Sequence, residues 1–138
     1  MRINIMLDEG AYIPEKAYAE DAGYDIRTPI DLAILPTYSL TVDTGVHVEI
    51  PRGFVGFLKS KSGLNIKHGI VSEGVIDSGY TGSIKARLYN SGKRAVKFNA
   101  GDKITQLVIL PIPFVELHEV NDFPETDRGD NGFGSTGK

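Results

Sequence analysis

The chain has 138 residues, 41% of them hydrophobic and 24% charged, with a formal net charge of −3 and no cysteine. That length fits one domain around one core, and the lack of cysteine excludes disulfide and thiolate chemistry. A net-negative chain offers no global basic face for duplex nucleic acid, so no nucleic-acid partner is expected, and a phosphate ligand must be met by basic residues beside short glycine-rich segments. No apolar run approaches the roughly 20 residues of a membrane-spanning helix. The opening stretch MRINIMLDEGAYIPEK lacks the pattern of a secretory signal, so a cytoplasmic protein without a membrane partner is expected.

The first strong pattern in chain order runs from Leu40 to Ile50. Leu40, Val42, Val46, Val48 and Ile50 keep to even positions while Thr41, Asp43, His47 and Glu49 take the odd ones, which predicts a pair of half-buried strands. Residues Ser62 to Ile66 are the one place where a helical turn fits, because Gly or Pro interrupts most longer stretches. The period of two returns in Ile84, Ala86 and Leu88, and Leu107 to Leu110 is a short apolar run bounded by Pro111. The predicted class is all-β: a single-domain distorted barrel or jelly roll of short strands with at most one short helix. Residues 1–127 form that domain. Residues 128–138 are predicted to be a flexible arm, since Gly129, Gly132, Gly134 and Gly137 surround one aromatic, Phe133, with too little apolar surface to fold alone.

Five short segments carry candidate chemistry. They are Ala22-Gly23-Tyr24-Asp25-Ile26, Lys61-Ser62-Gly63-Leu64, Gly74 to Gly82, Gly101 to Leu107, and Arg128 to Gly137. In the third, Gly74 is expected to form a turn that presents backbone N–H and C=O groups; Asp77-Ser78-Gly79 taken alone is also an ordinary hairpin turn. Lys61, Ser62 and Gly63 place a charge, a hydroxyl and backbone N–H groups where phosphate oxygens could be met, although Lys-Ser-Gly alone is more often a surface turn. Gln106 sits within an apolar strand and needs a hydrogen-bond partner. Gly132 to Lys138 matches G-x-x-x-x-G-K, but no strand leads into it, so a P-loop is rejected. His47, His68 and His118 have no metal-ligand spacing, and surface or packing roles are expected for them. Arg94 and Lys97 read as a solvated face.

In order and rough spacing these segments resemble the five motifs of the homotrimeric dUTPase family, over residues 22 to 137. The resemblance implies hydrolysis of dUTP to dUMP and pyrophosphate, which keeps uracil out of DNA and supplies dUMP for thymidylate synthesis. It implies Asp77 as the residue that touches the sugar 3′-hydroxyl and activates water, and Tyr80 as the platform that leaves no room for a 2′-hydroxyl. Gly74, Val75 and Ile76 would read uracil, and Lys61, Ser62, Gly63 and Gln106 would hold phosphates. From the arm, Phe133 and Gly134 would cover the base while Arg128, Ser135 and Thr136 close over the phosphates. Mg2+ would ride on the substrate's phosphates, with Asp25 holding one of its waters. Three chains would share each site. The family most often has Arg where this chain has Lys61, which trades a planar fork for a point charge; Lys103 and Thr105 also differ, and are read as lying outside the chemistry. A dCTP deaminase, a catalytically silent regulatory module and a structural jelly roll are the alternatives.

Overall fold

The computed structural model describes residues 1–134 and Gly137. The elements are β1 (Ile5–Leu7), β2 (Gly23–Arg27), β3 (Leu32–Ile34), β4 (Ser39–Asp43), β5 (Val46–Val48), β6 (Phe54–Lys59), α1 (Ser62–His68), β7 (Ile70–Ile76), β8 (Lys85–Asn90), β9 (Val96–Phe98) and β10 (Lys103–Pro111). Six strands form one curled sheet in the order β2-β10-β6-β7-β8-β4, and the pairs β1-β5 and β3-β9 complete the body. All named pairings are antiparallel. The all-β expectation holds, and the one helix falls where the sequence placed it, two residues longer.

Alternation sets which face is inside. Ala86 and Leu88 of β8 are fully buried while Lys85 and Arg87 point out, as a period of two requires when one face meets a core. The core is rich in β-branched side chains: Ile26, Ile34, Val42, Val46, Ile50, Ile70, Ile84 and Ile104 are all at most 2% exposed, and such residues pack well on a pleated surface. The even positions from Leu40 to Ile50 do not form a hairpin. At Gly45, with φ of 66°, the chain breaks into β4, which pairs with β8, and β5, which pairs with β1. Leu40, at the sheet edge, is 38% exposed.

Two irregularities shape the working face. Strand β7 changes partner midway: Ile70 to Ser72 pair with β8, whereas Glu73 to Ile76 pair with β6. The other irregularity lies in β10, whose register against β2 shifts between Lys103 and Thr105, the signature of a bulge. Helix α1 follows β6 directly and ends at Gly69, whose left-handed backbone (φ 70°) donates to Asn65 O. A Cβ at Gly69 would lie 2.5 Å from Gly92 N, so glycine is required there for space as well as for backbone conformation.

Candidate active site

The sheet gathers one cluster of functional side chains on the outward faces of β2, β10 and β6. Gln106 opposes Asp25 on β2 and Lys59 on β6, and Lys103 opposes Arg27. Directly paired residues share a face. In an uninterrupted strand residues 103 and 106 would point to opposite faces; the bulge at Ile104 shifts the alternation by one and turns both toward Asp25. Lys61, two residues beyond Lys59, reaches the same carboxylate.

Asp25 is thus the centre of a three-membered ion cluster. Lys103 Nζ lies 2.7 Å from Oδ2, and Lys61 Nζ donates to Oδ1. The Asp25 side chain is 8% exposed. Burial pushes its carboxyl up, but hydrogen bonds from Lys103 and Lys61, together with their charges, outweigh that and hold it below the ordinary carboxylate range. With two ammonium groups on one carboxylate, the cluster carries a surplus positive charge. Lys103, read from the sequence as lying outside the chemistry, is thus in direct contact with Asp25. Thr105 stays structural: it is fully buried, and its hydroxyl donates to Lys59 O at 3.1 Å.

Gln106 finds the partner it needed, donating Nε2 to Ser60 O at 3.0 Å. A Cβ on Gly23 would come within 2.3 Å of Gln106 Oε1, so the first segment's glycine makes room for the fourth segment's amide. Ser62 and Gly63 open α1 and are exposed, with Lys61 preceding them in extended conformation. A cleft of about 540 Å³ opens beside Lys103, lined also by Arg27, Leu64, His68 and Lys97.

A second cluster lies on the loop after β7. Tyr80 N donates to Asp77 O at 3.2 Å, closing a turn around Gly79, whose φ is 86°. Tyr80 Oη donates to Ser83 O at 3.0 Å, and a Cβ on Gly82 would lie 2.6 Å from that hydroxyl, so Gly82 lets the ring fold back over its own loop. The expected turn at Gly74 is not there. Gly74 sits within β7 opposite Leu58, and its backbone is not in the positive-φ region. What the structure has instead is a fork. Beyond Ser72, β7 pairs with β6, while the returning chain bonds across to the β4–β5 connection through Ile84 N to Val46 O (2.8 Å) and Thr44 N to Ile84 O (3.0 Å). Among the described residues, one backbone edge of Glu73 to Ile76 has no ladder partner. Val75 is 60% exposed, and Ile76 is buried.

The two clusters do not meet within one chain. Ile76 pairs with Gly56, which puts Asp77 level with Val55; Lys61 lies six positions further along. At ~3.3 Å per residue the offset is about 20 Å. The described residues of the fifth segment share no hydrogen bond with either cluster. The last long-range backbone bond is Ile112 N to Gly53 O at 2.8 Å, and among the described residues the later bonds are local, including Arg128 Nε to Asn131 O. Phe133 is fully exposed. Ser135 and Thr136 lie outside the described residues. Among the described residues no group of three or more His, Cys, Asp or Glu side chains could hold a metal ion, and no helix is long and apolar enough to cross a membrane.

Comparison with known proteins puts a class to this arrangement. A variant of the Staphylococcus bacteriophage 80alpha dUTPase, with dUpNHpp, superposes with a TM-score of 0.92 at 30% identity over 99% of both chains. A mutant dUTPase from phage phi11 of S. aureus, described for the coordination of a structural Mg(II) ion, gives 0.82 at 31% identity over 89% of this chain and 99% of that one. The architecture is therefore the jelly roll of nucleotide-handling hydrolases. Relatives named deoxyuridine 5′-triphosphate nucleotidohydrolase are 40% identical in Gloeothece citriformis, over 95% of this chain and 92% of the relative, and 39% identical in Mus musculus, over 97% and 83%. A dUTPase family model matches residues 9–137, and the chain belongs to the dUTPase family.

Proposed function

We propose that this chain is a dUTP diphosphatase, releasing dUMP and pyrophosphate, and that its site is assembled from more than one copy. The observation that carries the reading is the fork after Ser72, which leaves backbone donors and acceptors of Glu73 to Ile76 unpaired beside the Asp77–Tyr80 turn. A flat base with polar edges can complete that ladder through backbone groups, so Gly74, Val75 and Ile76 are assigned to uracil. Tyr80 is assigned to the sugar face and Asp77 to the 3′-hydroxyl and the attacking water. Lys61, Ser62, Gly63 and Gln106 are assigned to the phosphates.

The sugar and α-phosphate of one nucleotide are adjacent, whereas Asp77 and Lys61 of one chain are about 20 Å apart along the sheet. The loop of one copy must therefore face the lysine cluster of another, and a homotrimer with shared sites is the assembly we assign. The arm of residues 128–138 would close over the bound nucleotide, with Phe133 and Gly134 on the base and Arg128, Ser135 and Thr136 on the phosphates, excluding water as it orders.

Asp77 accepts a proton from water, which attacks the α-phosphorus in line; the bond to the bridging oxygen breaks and pyrophosphate leaves, with Lys61, Ser62 and Arg128 taking up its charge. Nothing becomes covalently attached to the protein. Among the described residues no three acids gather into a metal cage, which fits a Mg2+ ion that arrives on the triphosphate, with Asp25 assigned to one of its waters. Bound there, Mg2+ neutralises charge on the phosphates. A cytoplasmic location goes with this reading.

Pyrophosphate release from dUTP, dCTP, dTTP and UTP, measured for the native chain and for Asp77→Asn, tests the proposal. Turnover should be strongly selective for dUTP and should fall by roughly 10² to 10⁴ in the variant, the usual worth of a general base. Ammonia release from dCTP would favour a deaminase, and equal rates on UTP would remove Tyr80 from its role.

A further inference from the structure

The loop carrying Asp77 and Tyr80 is tied down on its far side by contacts that the proposed chemistry leaves without a task. Ser83 Oγ donates to Asp43 Oδ1, and Thr44 Oγ1 donates to Ile84 O at 2.7 Å. Thr81, nearer to the turn, has a different anchor in His47 on β5. The Nδ1 of His47 is 2.7 Å from Thr81 O, and its Nε2 is 3.1 Å from Asp8 Oδ1. Both partners only accept hydrogen bonds. A neutral imidazole carries one N–H, so one of these contacts would set lone pair against lone pair; the imidazolium donates to both. The ring is largely covered, its side chain 17% exposed.

Resting on the assignments of Asp77 and Tyr80 above, we propose that His47 is a positioning residue: as an imidazolium it ties the Thr81 carbonyl to Asp8 and holds the Asp77–Ser83 loop in the form that receives the deoxyribose. The charged groups around it are few. Asp8 faces it directly, and Asp43, at the end of β4, is itself held by Ser83 and the Gly45 N–H and lies near Lys85. Glu49, just past the end of β5, accepts from Asn4 Nδ2 at 2.7 Å, and the residue opposite His47 on β1 is the uncharged Met6. The Thr81 bond, then the Asp8 bond, raise the His47 value above its ordinary 6.5 against the opposing effect of burial. A raised folded-state value means the clamp is complete below that ordinary value and is lost as pH rises through the raised one.

The test is a pair of titrations. In the free protein, the Thr81 carbonyl carbon and the His47 ring carbon are followed by NMR; both should move with one midpoint above the ordinary histidine value. In parallel, kcat/KM for dUTP is measured from roughly pH 5 to 9, the range that brackets histidine titration, for the native chain, His47→Leu and His47→Lys. The native profile should contain a fall of roughly fivefold at the His47 midpoint, the low end of couplings between separate groups. That step should vanish in both variants, with His47→Lys keeping the higher rate because its cation does not titrate there. A step of the same size in His47→Leu, or a Thr81 carbonyl indifferent to His47, would overturn the proposal. Failure of the native chain to turn over dUTP would instead count against the assigned reaction, since the carbonyl titration decides the clamp separately.

Discussion

Lys103 and Asp25 are joined by a 2.7 Å ion pair that exists because β10 bulges at Ile104. The bulge turns Lys103 onto the face that Gln106 and Asp25 already share, and Lys61 completes the cluster from the other side. Lys103→Met removes one of two ammonium partners from a nearly buried carboxylate. We expect a loss of about 1–2 kcal/mol in stability, below the full cost of stranding a buried charge because Lys61 remains. Lys103→Arg should recover most of it. Thermal unfolding of the three proteins checks this, and an unchanged midpoint in Lys103→Met would contradict it.

The same cluster fixes the acid limb of stability. The folded Asp25 value is depressed below the ordinary 3.8, so its ion pairs stabilise the fold fully above that value and the contribution is lost as pH falls below it. Denaturant unfolding between roughly pH 2 and 6, spanning carboxylate titration, should show a shallower acid-side decline in Asp25→Asn than in the native chain. Equal slopes would remove Asp25 from this role.

How much of this was legible from sequence depends on how regular the local pattern is. The alternation of Ala86 and Leu88 with Lys85 and Arg87 shows β8 because that strand has one face in the core and one in solvent, and the helical turn near Ser62 is legible because Gly or Pro interrupts most longer stretches. The fork in β7 was not, since Ile70-Val71-Ser72-Glu73-Gly74 carries no clean alternation and a change of partner leaves no mark on composition. Gly74 was read as a turn for the same reason: a glycine in a strand and a glycine in a turn look alike until their partners are known. The contact of Lys103 with Asp25 is hidden in the sequence, because a bulge inverts the alternation that would show which way Lys103 points. The family that the five segments resemble is legible; that one chain keeps Asp77 far from Lys61 requires the register of β6 against β7.

Gly23 offers a sharper mutational prediction than most glycines. Its backbone is not in the positive-φ region, so alanine costs little locally; the obstacle is Gln106 Oε1, 2.3 Å from where the Cβ would be. Gly23→Ala should displace the Gln106 amide from Ser60 O and destabilise by about 1–3 kcal/mol, the usual penalty for overpacking. The double variant Gly23→Ala with Gln106→Ala should recover part of that stability. Non-additivity in a double-mutant cycle of unfolding free energies is the readout.

Removing residues 128–138 should separate folding from turnover. Among the described residues of this stretch the hydrogen bonds are local, so the unfolding midpoint should change little. The rate of dUTP hydrolysis should fall by roughly a hundredfold or more, as when a charge-stabilising donor is lost. A truncated protein with native kcat would show that the arm is no part of the site.

The assigned chemistry is attack of water on the α-phosphorus, and isotope placement tests it most directly. Turnover of dUTP in water enriched in oxygen-18, followed by mass spectrometry of both products, should put the heavy oxygen into dUMP and leave pyrophosphate unlabelled. Label in pyrophosphate would mean attack at the β-phosphorus and would contradict the roles given to Asp77, Lys61 and Gln106.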